Sequence, residues 1–214
     1  GSARTSFGLA ADKPTFLVIG GSLGATTLNQ AIAAILPDLA DDGIQGIWQT
    51  GPDFYQKNGE QWQRQYGEAV KVQAFIEDMS QAYKAADLVI CRAGAITLAE
   101  LAYLGKAAML VPSPNVAADH QTKNAQVLEA HQAAILVPDN EAERRIPAEL
   151  PNLLKDQPQL AKLAEQIRAF ARPAATQHIV EEVFSLAGKS FRKDSAKAVD
   201  KQRLTSSVNP KAES

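Results

Sequence analysis

The chain has 214 residues, 45% of them apolar, with 22 Lys or Arg against 24 Asp or Glu. That is enough for one sizeable hydrophobic core and too little for a second full domain. A formal charge of −2, with no basic stripe interleaved with aromatics, excludes nucleic acid as the expected partner, and no apolar run approaches the ~20 residues of a transmembrane helix. The single Cys91 rules out an internal disulfide framework and fits a reducing compartment. The amino end lacks the basic-then-apolar pattern of a signal peptide, so a cytoplasmic domain is expected. Gly1-Ser2 resembles the scar of a removed tag, and the chain is read as starting partway through a larger protein.

In chain order, residues 1–12 form a small, polar lead-in closed by Pro14. Thr15 to Ile19 is a continuous apolar run, the pattern of a strand buried on both faces. It ends at Gly20-Gly21-Ser22-Leu23-Gly24. Leu28, Ile32, Ile35 and Leu36 then share one helix face, and Pro37 is expected to stop that helix. Ile44 to Gln49 reads as a strand, Asp53 to Tyr66 as a polar helix, and Val70 to Phe75 as a strand. A short helix, capped by Asp78 or Ser80, runs to Ala86. Strand Leu88 to Cys91 leads through Gly94 into a helix from Ile96 to Leu104, stopped by Gly105. Strand Ala108 to Val111, a helix from His120 to Ala130 and strand Ala133 to Val137 complete the alternation.

Such alternation predicts an α/β fold: a Rossmann-like parallel sheet of about six strands with helices on both faces. From Ile146 on the pattern is helical only, over Ala148–Leu154, Gln159–Ala171 and Thr176–Leu186. Residues 13–187 are therefore read as one domain. The stretch 188–214, with seven Lys or Arg against three Asp or Glu, is read as a disordered basic tail.

Three stretches offer chemistry. Gly20, Gly21 and Gly24 would let backbone approach a ligand and Ser22 would add a hydroxyl; the lesser alternative is a tight strand-to-helix turn without a ligand. Arg92, Gly94 and the helix-start amides of Ala95, Ile96, Thr97 and Leu98 suit a diphosphate, and Glu100 suits a vicinal diol such as a ribose. The alternative is a surface ion pair between Arg92 and Glu100. Gln121 and Asn124 share a helix face and offer amides to sugar hydroxyls, or else Asp119 merely caps an ordinary solvated turn. No metal-ligand cluster, Walker loop or nucleophile elbow is present, and no cofactor is expected.

With GGSLGATTLNQ at 20–30, FIEDM at 75–79, CRAGAITLAE at 91–100 and DHQTKNA at 119–125, the chain resembles the carboxyl-terminal half of the MurG family. These are the bacterial N-acetylglucosaminyltransferases of family 28, with the two-domain GT-B architecture. The resemblance runs from about Leu9 to Leu186. It implies an inverting hexosyltransferase whose carboxyl-terminal half binds UDP-N-acetylglucosamine and whose amino-terminal half takes lipid I, so that lipid II forms in peptidoglycan synthesis. By the same resemblance Ser22 lies near the diphosphate and Ile76 offers backbone groups to uracil. Arg92 and Ala95 to Leu98 face the nucleotide and diphosphate, Glu100 holds the ribose, and Gln121 with Asn124 reads the sugar. The catalytic base and most membrane contact belong to the half not in this chain, which implies a full-length protein peripheral on the cytoplasmic face of the cell membrane. The competing reading is a non-catalytic nucleotide-sugar-binding module that acts with a separate partner chain.

Overall fold

The computed structural model describes residues 2–114 and 119–171. The expected helix Thr176–Leu186 and the basic stretch 188–214 lie outside the described residues. Six strands, β1 (Thr15–Ile19), β2 (Gln45–Gln49), β3 (Val70–Gln73), β4 (Leu88–Cys91), β5 (Ala107–Leu110) and β6 (Ile135–Leu136), form one sheet in the order β3-β2-β1-β4-β5-β6. Every pairing is parallel, and the order reverses between β1 and β4. At such a switch point the connections on either side leave in opposite directions, which opens a crevice at the carboxyl edge.

Alternation along each strand divides the core. Phe16, Val18 and Ile90 pack on one face with Leu28, Ile32 and Leu36, while Leu17, Val89 and Cys91 pack on the other with Tyr83, Leu101 and Leu128. All are 5% exposed or less. The first face is covered by α2 (Thr26–Asp41) and α8 (Ala142–Lys155), the second by α5 (Met79–Ala85), α6 (Ala95–Leu104) and α7 (His120–Ala130). Between β2 and β3 the chain forms α3 (Pro52–Phe54), a π turn over Tyr55–Gly59 and α4 (Glu60–Tyr66). On either side of the π turn Phe54 and Trp62 lie against the buried Trp48, with ring centroids at 5.9 and 5.2 Å.

Two helices pass through prolines, and one of these, Pro37, was expected to end its helix. α2 does not stop at Pro37 but continues to Asp41, and α8 begins at Ala142, ahead of Pro147 and Pro151. An interior proline costs about 3 kcal/mol. Beyond Pro37 the helix buries Leu39 completely, and before Pro147 it buries Ala142 and Ile146; a fully buried Leu or Ile returns about 1.5–3 kcal/mol each. Arg145 adds hydrogen bonds to Glu149 at 2.6 Å and to the Leu136 carbonyl at 3.1 Å, tying the early turns of α8 to β6. β6 itself keeps only two of its five expected residues, because Ala133 N–H is drawn back to the Leu128 carbonyl at the end of α7.

The lead-in also folds. Ser2–Ser6 forms α1, Ala3 and Leu9 are buried, and the Gln45 side-chain amide pairs with both backbone groups of Ala10 at 2.9 and 2.6 Å. Arg4 donates to the Ala85 carbonyl at 3.0 Å and to both carboxylate oxygens of Asp87 at 2.7 Å. Asp87 in turn accepts the Thr15 N–H at 2.8 Å, so one carboxylate locks the lead-in to the starts of β1 and β4. The last helix described is α9 (Gln157–Arg168), capped by Asp156, whose side chain accepts the Gln159 N–H.

Arg4→Ala removes charge-assisted hydrogen bonds worth about 1–3 kcal/mol. The expected result in a thermal melt is a midpoint lowered by about 2–10 °C for a chain of this size; a midpoint within about a degree of the native one would show that α1 is an ornament to the fold.

Candidate functional site

Strand register sets the site. Gln73, Gln49, Ile19, Cys91, Leu110 and Leu136 pair in one row across the sheet, so all the loops leave from the same level. After β1, β4 and β5 those loops feed the amino ends of α2, α6 and α7. Between them lies a cavity of about 530 Å³. Its walls come from Gly20, Gly21 and Gly24 on the first loop, Arg92 and Gly94 on the second with Thr97 in the first turn of α6, and Ser113 on the third with Gln121 in the first turn of α7. Thr27 and Asp139 also line it.

The glycines of the first loop answer two needs. Gly21 and Gly24 hold φ of 89° and 80°, in the left-handed region. A Cβ on Gly24 would stand 2.0 Å from the Thr50 carbonyl oxygen, so the loop lies with its backbone directly on the end of β2. Gln49 then braces it: its Nε2 donates to the Gly21 carbonyl at 3.0 Å while its Oε1 accepts the Ile76 N–H at 2.9 Å. One buried amide thus joins the glycine loop to the loop after β3.

Gly94 is different. Its φ of −69° suits any residue, yet a Cβ there would meet nothing within 4 Å. The space beside it is cavity. α6 starts here with no side-chain cap, and its first intrahelical bond runs from Leu98 N–H to the Gly94 carbonyl. The preceding amides, Ala95, Ile96 and Thr97, are the helix's orphan donors, and the positive end of its dipole lies with them.

Arg92 does not pair with Glu100. Its Nη1 donates to the carbonyls of Val111 and Pro112 at 3.1 and 3.2 Å and to Asp139 Oδ1. Asp139 Oδ2 accepts from the Thr27 hydroxyl at 3.1 Å, so the carboxylate links β4 to the first turn of α2. Both members of this ion pair are less than a fifth exposed. The Nε and Nη2 groups of Arg92 have no protein acceptor among the described residues.

Glu100 Oε2 accepts instead from the Tyr83 hydroxyl at 2.9 Å. Gln121 Oε1 accepts the Ser113 N–H at 2.9 Å, and the NH2 end of that amide has no protein acceptor among the described residues. Asp119 sits at the cap position of α7 with φ of 53° and makes no side-chain cap bond.

The structure therefore gathers Gly20, Gly21, Gly24, Arg92, Gly94, Thr97 and Gln121 around one cavity. Ser22, Ala95, Ile96 and Glu100 are exposed outside its lining, Leu98 and Asn124 are half-buried, and Ile76 is 1% exposed with its N–H occupied by Gln49. Sequence reasoning missed Thr27, Gln49, Ser113 and Asp139. None belongs to a spaced pattern; only the Thr26-Thr27 pair beside the glycine loop gave a local hint.

Cys91, next to Arg92, is 1% exposed, and burial together with the charge of Glu100 pushes its thiol up to about 12. It remains a protonated thiol at neutral pH and is no nucleophile. Among the described residues no group of three His, Cys, Asp or Glu side chains could hold a metal ion, and no helix is long and apolar enough to cross a membrane.

Comparison with known proteins places residues 15–179 in the glycosyltransferase family 28 C-terminal domain. The chain is 46% identical over 185 residues to the UDP-N-acetylglucosamine–N-acetylmuramyl-(pentapeptide) pyrophosphoryl-undecaprenol N-acetylglucosamine transferase of Cytophaga hutchinsonii, covering 86% of this chain and 49% of that relative. The enzyme of the same name from Bacteroides thetaiotaomicron is 46% identical over 190 residues, covering 87% and 51%. The crystal structure of Acinetobacter baumannii MurG matches with a TM-score of 0.68 at 35% identity, over 86% of this chain and 53% of that one. The chain spans about half the length of the curated relatives it matches.

Two outcomes check the site. Asp139→Ala leaves the Arg92 guanidinium without its carboxylate and should destabilise the fold by about 1–3 kcal/mol; an unchanged melting midpoint would mean the pair contributes nothing. At about pH 8 the native chain should leave Cys91 unlabelled by a thiol reagent, with one equivalent reacting on unfolding. Rapid labelling of the native chain would contradict the burial described.

Proposed function

The chain belongs to glycosyltransferase family 28, as the C-terminal domain of that family, and on that premise we propose that it is the donor-binding half of an inverting N-acetylglucosaminyltransferase. Its ligand is UDP-N-acetylglucosamine. The observation that carries the reading is the vacant volume beside Gly94, where an uncapped helix start and the Arg92 guanidinium face one cavity at the switch point of the sheet.

The diphosphate lies against the amides of Ala95, Ile96 and Thr97 and the free edge of Arg92, the Leu98 N–H being held by the Gly94 carbonyl, with Gly20, Gly21, Gly24 and Ser22 on the other side. Uracil is recognised at Ile76. The Ile76 N–H is held by Gln49, which leaves the carbonyl for the base. Glu100 accepts from the ribose hydroxyls, and the NH2 of Gln121, with Asn124, reads the N-acetylglucosamine.

In the complete enzyme the C4 hydroxyl oxygen of the lipid-linked muramyl sugar attacks the anomeric carbon. The bond from that carbon to the β-phosphate oxygen breaks, UDP departs with the bonding pair, and the hydroxyl proton passes to a base in the other half. What this half contributes is stabilisation of the charge growing on the diphosphate, by donors already in position. The lipid I acceptor and most membrane contact belong to the other half, and the complete protein works on the cytoplasmic face of the membrane. The chain alone binds donor and turns over nothing.

Thermal unfolding with UDP-N-acetylglucosamine, UDP, UDP-N-acetylgalactosamine and ADP tests this. Ligand at a hundred times its dissociation constant adds about 2.7 kcal/mol, which raises the midpoint by about 5–10 °C. The expected order puts UDP-N-acetylglucosamine first and ADP last. Gly94→Val, whose side chain enters open space, should melt like the native chain yet lose most of the shift. A full shift in that variant, or an ADP shift as large as that of UDP, would refute the reading.

A further inference from the structure

Tyr83 is an unusual core residue. Its ring is 3% exposed on α5, packed in the same cluster as Ile76, Cys91 and Leu101. A buried phenol needs a hydrogen-bond partner, and this one reaches across to a carboxylate on an otherwise exposed position of the next helix, Glu100. Only Oε2 of that carboxylate is used. Oε1 has no protein donor among the described residues, although an ionised carboxylate accepts several hydrogen bonds.

The position of Glu100 gives the contact its meaning. It lies one helical turn beyond Thr97, which lines the cavity, and its partner helix follows the loop that carries Ile76. Left to itself, a glutamate on an exposed helix face samples many rotamers and loses that freedom when it binds a ligand. With Oε2 anchored to a phenol fixed in the core, the carboxylate is oriented before any ligand arrives. Burial and the nearby carboxylate both push the Tyr83 hydroxyl well above its ordinary value, so it is a donor at neutral pH.

We propose that Tyr83 is a positioning residue for ligand recognition: its hydroxyl fixes Glu100 so that the second carboxylate oxygen meets the vicinal hydroxyls of a bound nucleoside diphosphate. This rests on the assignment of Glu100 to the ribose. Tyr83 touches no ligand itself, and its effect is confined to ligands that carry the diol.

Calorimetric titration of the full chain with UDP and with 2′,3′-dideoxy-UDP separates the possibilities. In Tyr83→Phe, which keeps the ring, affinity for UDP should fall about tenfold, the scale of one charge-assisted hydrogen bond, while affinity for the dideoxy ligand stays at the native value. Glu100→Gln should show the same selectivity, and the double variant should bind UDP no more weakly than Glu100→Gln alone. Equal loss of both ligands in Tyr83→Phe would mean a purely structural role and overturn the proposal. A native ratio in Tyr83→Phe beside a collapsed ratio in Glu100→Gln would overturn the positioning role alone. If Glu100→Gln also keeps the native ratio, or native chain fails to bind UDP, the ribose assignment falls and takes the proposal with it.

Discussion

The site depends on a contact between two pieces of backbone. The loop after β1 lies on the end of β2 so closely that Gly24 has no room for a Cβ against Thr50, nor Gly51 against the Leu23 carbonyl. A contact of this kind is maintained only if the polar groups around it are satisfied, because an unpaired buried amide or carbonyl costs about 1–3 kcal/mol. They are: Asn29 Nδ2 donates to the Thr50 carbonyl at 2.8 Å, Asn29 Oδ1 accepts from Trp48 Nε1 at 3.0 Å, and Gln49 ties Gly21 to Ile76. No buried side-chain nitrogen or oxygen among the described residues lacks a partner. The start of α2 is thereby fixed relative to the sheet, and Thr27 on its first turn reaches Asp139.

The charged side chains that line the cavity are one cation and one anion, so what favours an anion there beyond them is the helix starts. Arg92 is already paired with Asp139, and each helix start adds about 0.3–1 kcal/mol toward an anion at an exposed site. Such a balance suits a group that must both enter and leave. A bare guanidinium would hold a diphosphate more firmly, whereas here part of its charge is spoken for and its remaining donors are aimed. Asp139 therefore serves orientation more than attraction, which fits its bonds to both Arg92 and Thr27.

How much of this was legible in the sequence follows from what each feature depends on. β1 and β4 read correctly to the residue because strands buried on both faces give continuous apolar runs. The glycine loop, Arg92 and Gly94 were legible because strand-to-helix turns at a sheet edge leave local signs. Pro37 misled because its local preference was outweighed by Leu39, whose burial is tertiary. The lead-in hid its role because Arg4 and Gln45 act over separations of 83 and 35 residues. Asp139 was invisible for the same reason: it follows β6, and only the strand order carries it to Arg92, 47 residues earlier.

A common device runs through the side chains that the proposed function uses. Four of the groups concerned are held from behind by the protein and keep their other atoms for a ligand. Asp139 and two carbonyls hold Arg92, the Ser113 N–H holds Gln121, the Tyr83 hydroxyl holds Glu100, and Gln49 holds the backbone at Ile76. Ordering a rotamer-rich side chain on binding costs about 0.5–1.5 kcal/mol. With three side chains ordered in advance, about 1.5–4.5 kcal/mol is removed from the cost of association, roughly one to three powers of ten in affinity. On the proposed function the fold's contribution to recognition is spread over residues that never meet the ligand, and a substitution behind the site should be felt as loss of affinity for one chemical group of the ligand rather than for all of it.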